Sequence, residues 1–129
     1  MHHVDQITPD YKKRSLSKSF LSAFRGLGHA LSERNFLIQV IIGALTIILA
    51  FALDLNAIER IIILILIALV LGAEILNSAI ETFVDVLIKE HNEAAAKVKE
   101  FMAGAVLIFS ITAFVIGVWI FMKAIFFNF

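Results

Sequence analysis

The sequence contains no cysteine and a single proline, and its eleven basic residues are balanced by eleven acidic ones. Without cysteine there can be no disulfide framework, thiolate zinc site or thiol nucleophile. Zero net charge gives no argument for a nucleic-acid partner, so none is expected and only the placement of the charges informs. The proline, Pro9, falls within residues 1–15 (MHHVDQITPDYKKRS), which read as a loose N-terminal tail. The histidines have no metal-binding spacing: His2 and His3 lie in that tail, and His29 and His91 stand alone. No apolar run followed by a small-residue cleavage site opens the chain, so no removable signal peptide is expected.

What the sequence has in excess is apolar surface. Hydrophobic residues make up 60% of it and the mean hydropathy is +0.94, against about 45–50% apolar residues in soluble domains. Lipid is therefore the expected solvent. A chain of 129 residues fits one domain and leaves little room for a soluble catalytic unit beside a membrane anchor, so any activity should be built into the membrane part, residues 16–129. Three apolar runs, 36–53, 61–84 and 101–122, each approach the ~20 residues that cross a hydrocarbon core. Before them, Leu16, Phe20, Phe24, Leu27 and Leu31 recur at steps of three or four, with Lys18, Arg25 and Arg34 elsewhere. Residues 16–34 thus read as an amphipathic helix, lying on the membrane surface or packed on the rest of the protein. The expected fold is an all-α integral membrane protein with three transmembrane helices and an N-terminal surface helix.

Charge placement orients this arrangement. Of the eleven basic residues, Lys12, Lys13, Arg14, Lys18, Arg25 and Arg34 precede the first run, and Lys89, Lys97 and Lys99 separate the second from the third, leaving only Arg60 and Lys123 for the other side. The positive-inside rule then places the N-terminus and the 89–100 connection, a polar stretch able to be helical itself, in the cytoplasm. Trp119, near the far end of the third run, suits an interfacial anchor.

The informative feature is a set of polar residues inside the second run: Glu74, Asn77, Ser78, Glu81 and Asp85. On a helix all of them fall within roughly 100° of arc, so one face is polar and the rest is greasy. A carboxylate near the bilayer centre costs at least ~2.5 kcal/mol, so such residues usually face a protein interior or a water path and have a function. The plainer alternative is a hydrogen-bonded packing seam in which Asn77 and Ser78 are glue. Glu74 and Glu81 are about 10 Å apart along the axis, too far for one tight dyad. They therefore separate into two jobs. A carboxylate taken out of water becomes a stronger base toward a hydroxyl, which suits the deeper Glu74. Glu81 and Asp85, nearer the cytoplasmic surface, suit Mg²⁺ carrying a nucleotide, because Mg²⁺ prefers a few carboxylates plus phosphate oxygens. Glu33, just before the first span, stands at a level where it could meet Glu81, or is a solvated helix-end charge. Lys97, Lys99 and Glu100 precede the third span, where the lysines either screen phosphates or only fix topology.

The segment Ala73-Glu74-Ile75-Leu76-Asn77-Ser78-Ala79-Ile80-Glu81, continued by Val84-Asp85, resembles the signature of the bacterial diacylglycerol kinase and undecaprenol kinase family. Ser19-Phe20, Ala23, Gly26, Glu33-Arg34-Asn35-Phe36, Lys99-Glu100 and Ala103-Gly104-Ala105-Val106-Leu107 match in the same order. The resemblance implies a small lipid kinase of the bacterial inner membrane that assembles as a homotrimer with composite sites. It implies Glu74 as general base, Asn77 supporting it, and Glu33 with Glu81 holding the Mg²⁺ of MgATP. Asp85, the loop residues Glu90, His91 and Asn92, and Lys99 with Glu100 would line the nucleotide site. The family needs no G-x-x-x-x-G-K-[ST] loop, and none is present. Three departures stand out: Glu100 replaces a usual aspartate, Leu37 replaces a frequent arginine, and the Gly26–Glu33 stretch is one residue shorter. Contacts of the N-terminal helix, including Arg14 and Lys18, consequently do not transfer.

The expected activity is direct transfer of the γ-phosphoryl group of ATP to a lipid hydroxyl. Glu33-Arg34-Asn35-Phe36 and Ile67-Ala68-Leu69-Val70-Leu71 look more like the undecaprenol branch, with diacylglycerol the alternative acceptor. A small proton-coupled transporter would also use an intramembrane acid, but such proteins usually have four spans with the acid in the first. A structural subunit without activity leaves the polar face unexplained.

Overall fold

The computed structural model describes residues 15–127 and contains four helices: α1 (Leu16–Leu31), α2 (Arg34–Ala52), α3 (Ala57–Leu87) and α4 (Glu93–Phe126). Apart from Ser15, the expected tail, Arg14 included, lies outside the described residues. Ser15 caps α1, its hydroxyl accepting from the Lys18 backbone N–H at 3.4 Å. The first helix ends at Leu31 rather than continuing through Arg34. Ser32 turns its hydroxyl back onto the His29 carbonyl at 2.6 Å, and Glu33 has extended backbone as the N-cap of α2. Leu16, Phe20, Phe24, Leu27 and Leu31 are all exposed along α1.

Helices α2, α3 and α4 are each long and apolar enough to cross a membrane, which makes this a multi-pass membrane protein. Two of them extend well past the apolar runs that announce them. Asn56 and Glu59 form a reciprocal capping box, with bonds of 2.9 and 3.2 Å, that starts α3 four residues before the run at 61. Asn92 caps α4 by accepting from the Ala95 N–H at 3.1 Å. The following Glu93-Ala94-Ala95-Ala96-Lys97 are strong helix formers, so much of the expected 89–100 connection is the opening of α4 and the loop is residues 88–92. At 31 and 34 residues, these helices are about 46 and 51 Å long. The hydrocarbon core is about 30 Å thick, so their ends stand in the headgroup region or beyond it.

Neighbouring spans run antiparallel. Glu33 and Gln39 of the α2 segment meet Ser78 and Glu74 of α3, descending as α2 ascends. Asp85 and Glu59 of α3 meet Lys99 and Lys123 of α4 in the same reversed order. The packed cluster of Ala50, Leu55, Ile63 and Ile120 sits at the α2–α3 turn, where Asp54 takes a positive φ of 53°. Arg60 closes that end, bonding Asp54 at 3.1 Å and lying over the Phe51 ring at 4.5 Å. Midway along, Gly43 is required by close approach: a Cβ there would come within 3.0 Å of the Ile67 Cγ2.

Candidate active site

The polar face of α3 becomes a ladder with rungs at successive depths. The deepest is Glu74, the one buried charged side chain among the described residues, 8% exposed. Its sole hydrogen-bond partner among those residues is Gln39 of α2, whose Nε2 donates to Oε2 at 3.3 Å. One helical turn outward, the Ser78 hydroxyl donates to Glu33 Oε2 at 2.6 Å. Glu33 is the N-cap of α2 but makes no side-chain cap to its own helix. Its carboxylate reaches across to α3 while staying close to the positive end of the α2 dipole. Glu81 follows Ser78 by three residues on the same face and is exposed. Asp85, on the outermost rung, pairs with Lys99 of α4 at 2.5 Å, with side chains 57% and 35% exposed respectively. From Glu74 to Asp85 the ladder spans about 16 Å along α3.

Glu33 and Glu81 are thus carried to neighbouring levels of one face. No group of three or more metal-binding side chains forms among the described residues. A Mg²⁺ that arrives with a nucleotide does not need one, because it retains waters and takes phosphate oxygens beside one or two carboxylates. The oxygen donors of Glu33 and Glu81 fit that demand, and Glu33 Oε1 is left open by the bond to Ser78.

The remaining residues sort by position. Asn77 is half-buried and makes no hydrogen bond to Glu74; the amide that does so is Gln39. Asn92 is engaged in capping α4, and Glu90 and His91 are exposed beside it in the loop. Lys99 turns toward α3, whereas Glu100 points away, exposed along a shallow groove of α4 with Lys97 and Phe101. Gln39 has no place in the sequence reading. Its signal was one amide in the otherwise apolar 36–53 run, a costly residue that implies a polar partner on another helix.

Gln39 also lies at one end of an apolar groove of about 550 Å³ between α2, α3 and α4. The groove continues past Gly43, Ile67 and Gly117 to Met122, toward the α2–α3 turn. Glu74, bonded to Gln39, thus stands next to the end of an apolar groove, and Glu33, Glu81, Asp85 and Lys99 follow it toward the exposed helix ends.

Residues 21–121 match the family described as prokaryotic diacylglycerol kinase. The chain is 38% identical to the undecaprenol kinase of Bacillus subtilis (strain 168) over 106 residues, 81% of this chain and 86% of that protein. It is 36% identical to the diacylglycerol kinase of Escherichia coli (strain K12) over 92 residues, 70% of this chain and 75% of that protein. To the diacylglycerol kinase of Synechocystis sp. it is 35% identical over 105 residues, 80% of this chain but 60% of the relative. With most of its length matched, and three antiparallel spans carrying the polar ladder, the chain belongs to the prokaryotic diacylglycerol kinase family and is a lipid kinase.

Proposed function

We propose that this kinase phosphorylates undecaprenol from ATP, with Glu74 as the general base and Glu33 and Glu81 as the carboxylates that hold the Mg²⁺ of MgATP. The observation that carries the reading is the ladder itself: a buried Glu74 bonded to Gln39, which lines the groove, with Glu33–Ser78, Glu81 and Asp85–Lys99 stepping toward the helix ends. A long hydrocarbon tail laid in the groove past Gln39 brings a terminal hydroxyl to Glu74. Glu74 takes the hydroxyl proton as the lipid oxygen attacks the γ-phosphorus. Positioning and electrostatics supply most of the catalysis in reactions of this type. The bound metal offsets charge on the transferring phosphates. Lys99, shared with Asp85, adds a positive charge at the outer rung, and the exposed Glu90, His91, Asn92 and Glu100 are assigned to the nucleotide with it; Asn77 is one helical turn from the base.

The B. subtilis undecaprenol kinase matches over a larger share of its own length than the diacylglycerol kinases do, which supports the polyprenol acceptor. The same reading puts residues 16–129 in one membrane kinase domain, the N-terminus in the cytoplasm of a bacterial cell, and α1 on the inner-membrane surface with its apolar stripe in the lipid. It also makes the working unit a homotrimer, in which neighbouring copies cover the open side of each ladder. The deciding experiment supplies radiolabelled ATP and Mg²⁺ with undecaprenol and diacylglycerol together in one bilayer. Label is expected chiefly in undecaprenyl phosphate. Label chiefly in phosphatidic acid overturns the acceptor assignment, and label in neither overturns both acceptors.

A further inference from the structure

We infer that Gln39 is the positioning residue of the base: Nε2–H holds the Glu74 carboxylate before proton transfer, and Oε1 accepts the acid's new O–H after it. The inference rests on the reading of Glu74 as the base. Three features carry it. First, among the described residues Glu74 has no cationic partner, and its hydrogen-bond partner is a neutral amide at 3.3 Å. A lysine or arginine there would bind the charged carboxylate and resist its protonation, whereas an apolar neighbour would disfavour the charge. A primary amide offers both a donor and an acceptor and is neutral in either role.

Second, Gln39 Oε1 is buried with no hydrogen-bond partner. A buried acceptor left unmet is destabilising and calls for an explanation. It is the group that a newly formed Glu74 O–H needs. Third, Gln39 is bracketed along α2 by two fixed points, the Glu33–Ser78 bond on one side and the close Gly43–Ile67 contact on the other. The backbone is pinned, and a half-turn of the terminal amide exchanges Nε2 for Oε1 without moving it.

The step balances. The lipid O–H bond breaks and its proton goes to a Glu74 oxygen. The lipid oxygen bonds the γ-phosphorus as the bridging P–O bond to ADP breaks, ADP keeping that electron pair. Glu74 then donates its proton to Gln39 Oε1 as a hydrogen bond until the proton is released to water and the amide swings back.

The test uses full-length protein in lipid bilayers with MgATP and undecaprenol, and compares Gln39→Met and Gln39→Glu with wild type. Methionine keeps the length and removes both polar atoms. The kcat is expected to fall about tenfold, the size of one lost hydrogen bond to a charged group, with KM for lipid and nucleotide unchanged. In Gln39→Glu the introduced carboxyl, while protonated, supplies the same donor and acceptor; once ionised, it repels Glu74. Activity relative to wild type should therefore be retained in mildly acidic buffer and lost as pH rises. Glu33, Glu81 and Asp85 with its partner Lys99, the other charged groups of this face, are present in both enzymes and cancel in the ratio. The melting temperature of Gln39→Glu is followed over the same pH range: a ratio that stays constant, an activity loss that only tracks loss of the folded protein, or an unchanged kcat in Gln39→Met overturns the inference. If Gln39→Met does not assemble, the pH ratio of Gln39→Glu decides alone. Glu74→Gln is assayed alongside: full activity there removes the base and this inference with it. A dead Glu74→Gln with wild-type behaviour in both Gln39 variants overturns only the positioning role.

Discussion

Replacing Ser78 with alanine tests whether Glu33 is held ready for the metal. In the structure the Ser78 hydroxyl meets Glu33 Oε2 at 2.6 Å, within the short range of O–H···O⁻ bonds. A hydrogen bond to a charged group contributes about 1.5–3 kcal/mol when shielded. Glu33 is exposed, so water replaces much of the lost partner, and about 1 kcal/mol is the reasonable share. Freed of Ser78, the Glu33 side chain must be immobilised each time the metal binds, which costs a similar amount of rotamer entropy. Ser78→Ala should therefore raise the Mg²⁺ concentration for half-maximal activity about fivefold, with kcat at saturating Mg²⁺ nearly unchanged. Ser78→Thr, which keeps the hydroxyl, should behave as wild type. The assay is lipid phosphorylation titrated with Mg²⁺ at fixed ATP. Superimposable titrations would refute the reasoning. A lower requirement would also refute it, by showing that the hydroxyl competes with the metal.

Glu74→Gln should abolish lipid phosphorylation while the assembled protein retains its melting temperature; a fully active variant removes Glu74 as base. Gly117→Phe adds a ring where a Cβ meets nothing within 4 Å on the groove wall. It should raise KM for the lipid severalfold and leave KM for MgATP unchanged, and lipid kinetics like wild type would show that the groove does not take the tail. Lys99→Met breaks a partly exposed ion pair with Asp85, so the melting temperature should barely change. KM for ATP should nonetheless rise, and an unaltered nucleotide KM would separate Lys99 from the phosphates.

Hydropathy made the three spans legible because burial in lipid demands continuous apolar runs, and the 3.6-residue period put Glu74, Ser78, Glu81 and Asp85 on one face. The helix ends were less legible. The stretch from Glu93 to Glu100 is polar connection by hydropathy and helix by its alanines, glutamates and lysines; what the sequence left open is that Asn92 caps it and that it runs unbroken into the third span. At the other boundary, α1 stops at Leu31 because Ser32 and Glu33 leave the helix to make specific bonds, which average periodicity cannot register. The partners of the ladder were the least legible part. The family resemblance gives Asn77 as support for Glu74, and the structure adds a partner it does not name: the side chain bonded to the carboxylate is Gln39, 35 residues from Glu74. Only the antiparallel register of α2 on α3 brings the two together.

The packed cluster at the α2–α3 turn and the polar ties of the ladder hold the bundle together at opposite ends. Ala50, Leu55, Ile63 and Ile120 clamp the helices at one end. At the other, Glu33 ties α2 to α3 and Asp85 ties α3 to α4, through carboxylates that stand on the nucleotide side of the ladder. The latches are therefore also the proposed docking points. On the proposed reading, a nucleotide that engages them competes with the ties between prongs that remain packed at the handle, so admission of the phosphoryl donor and release of its doorway coincide.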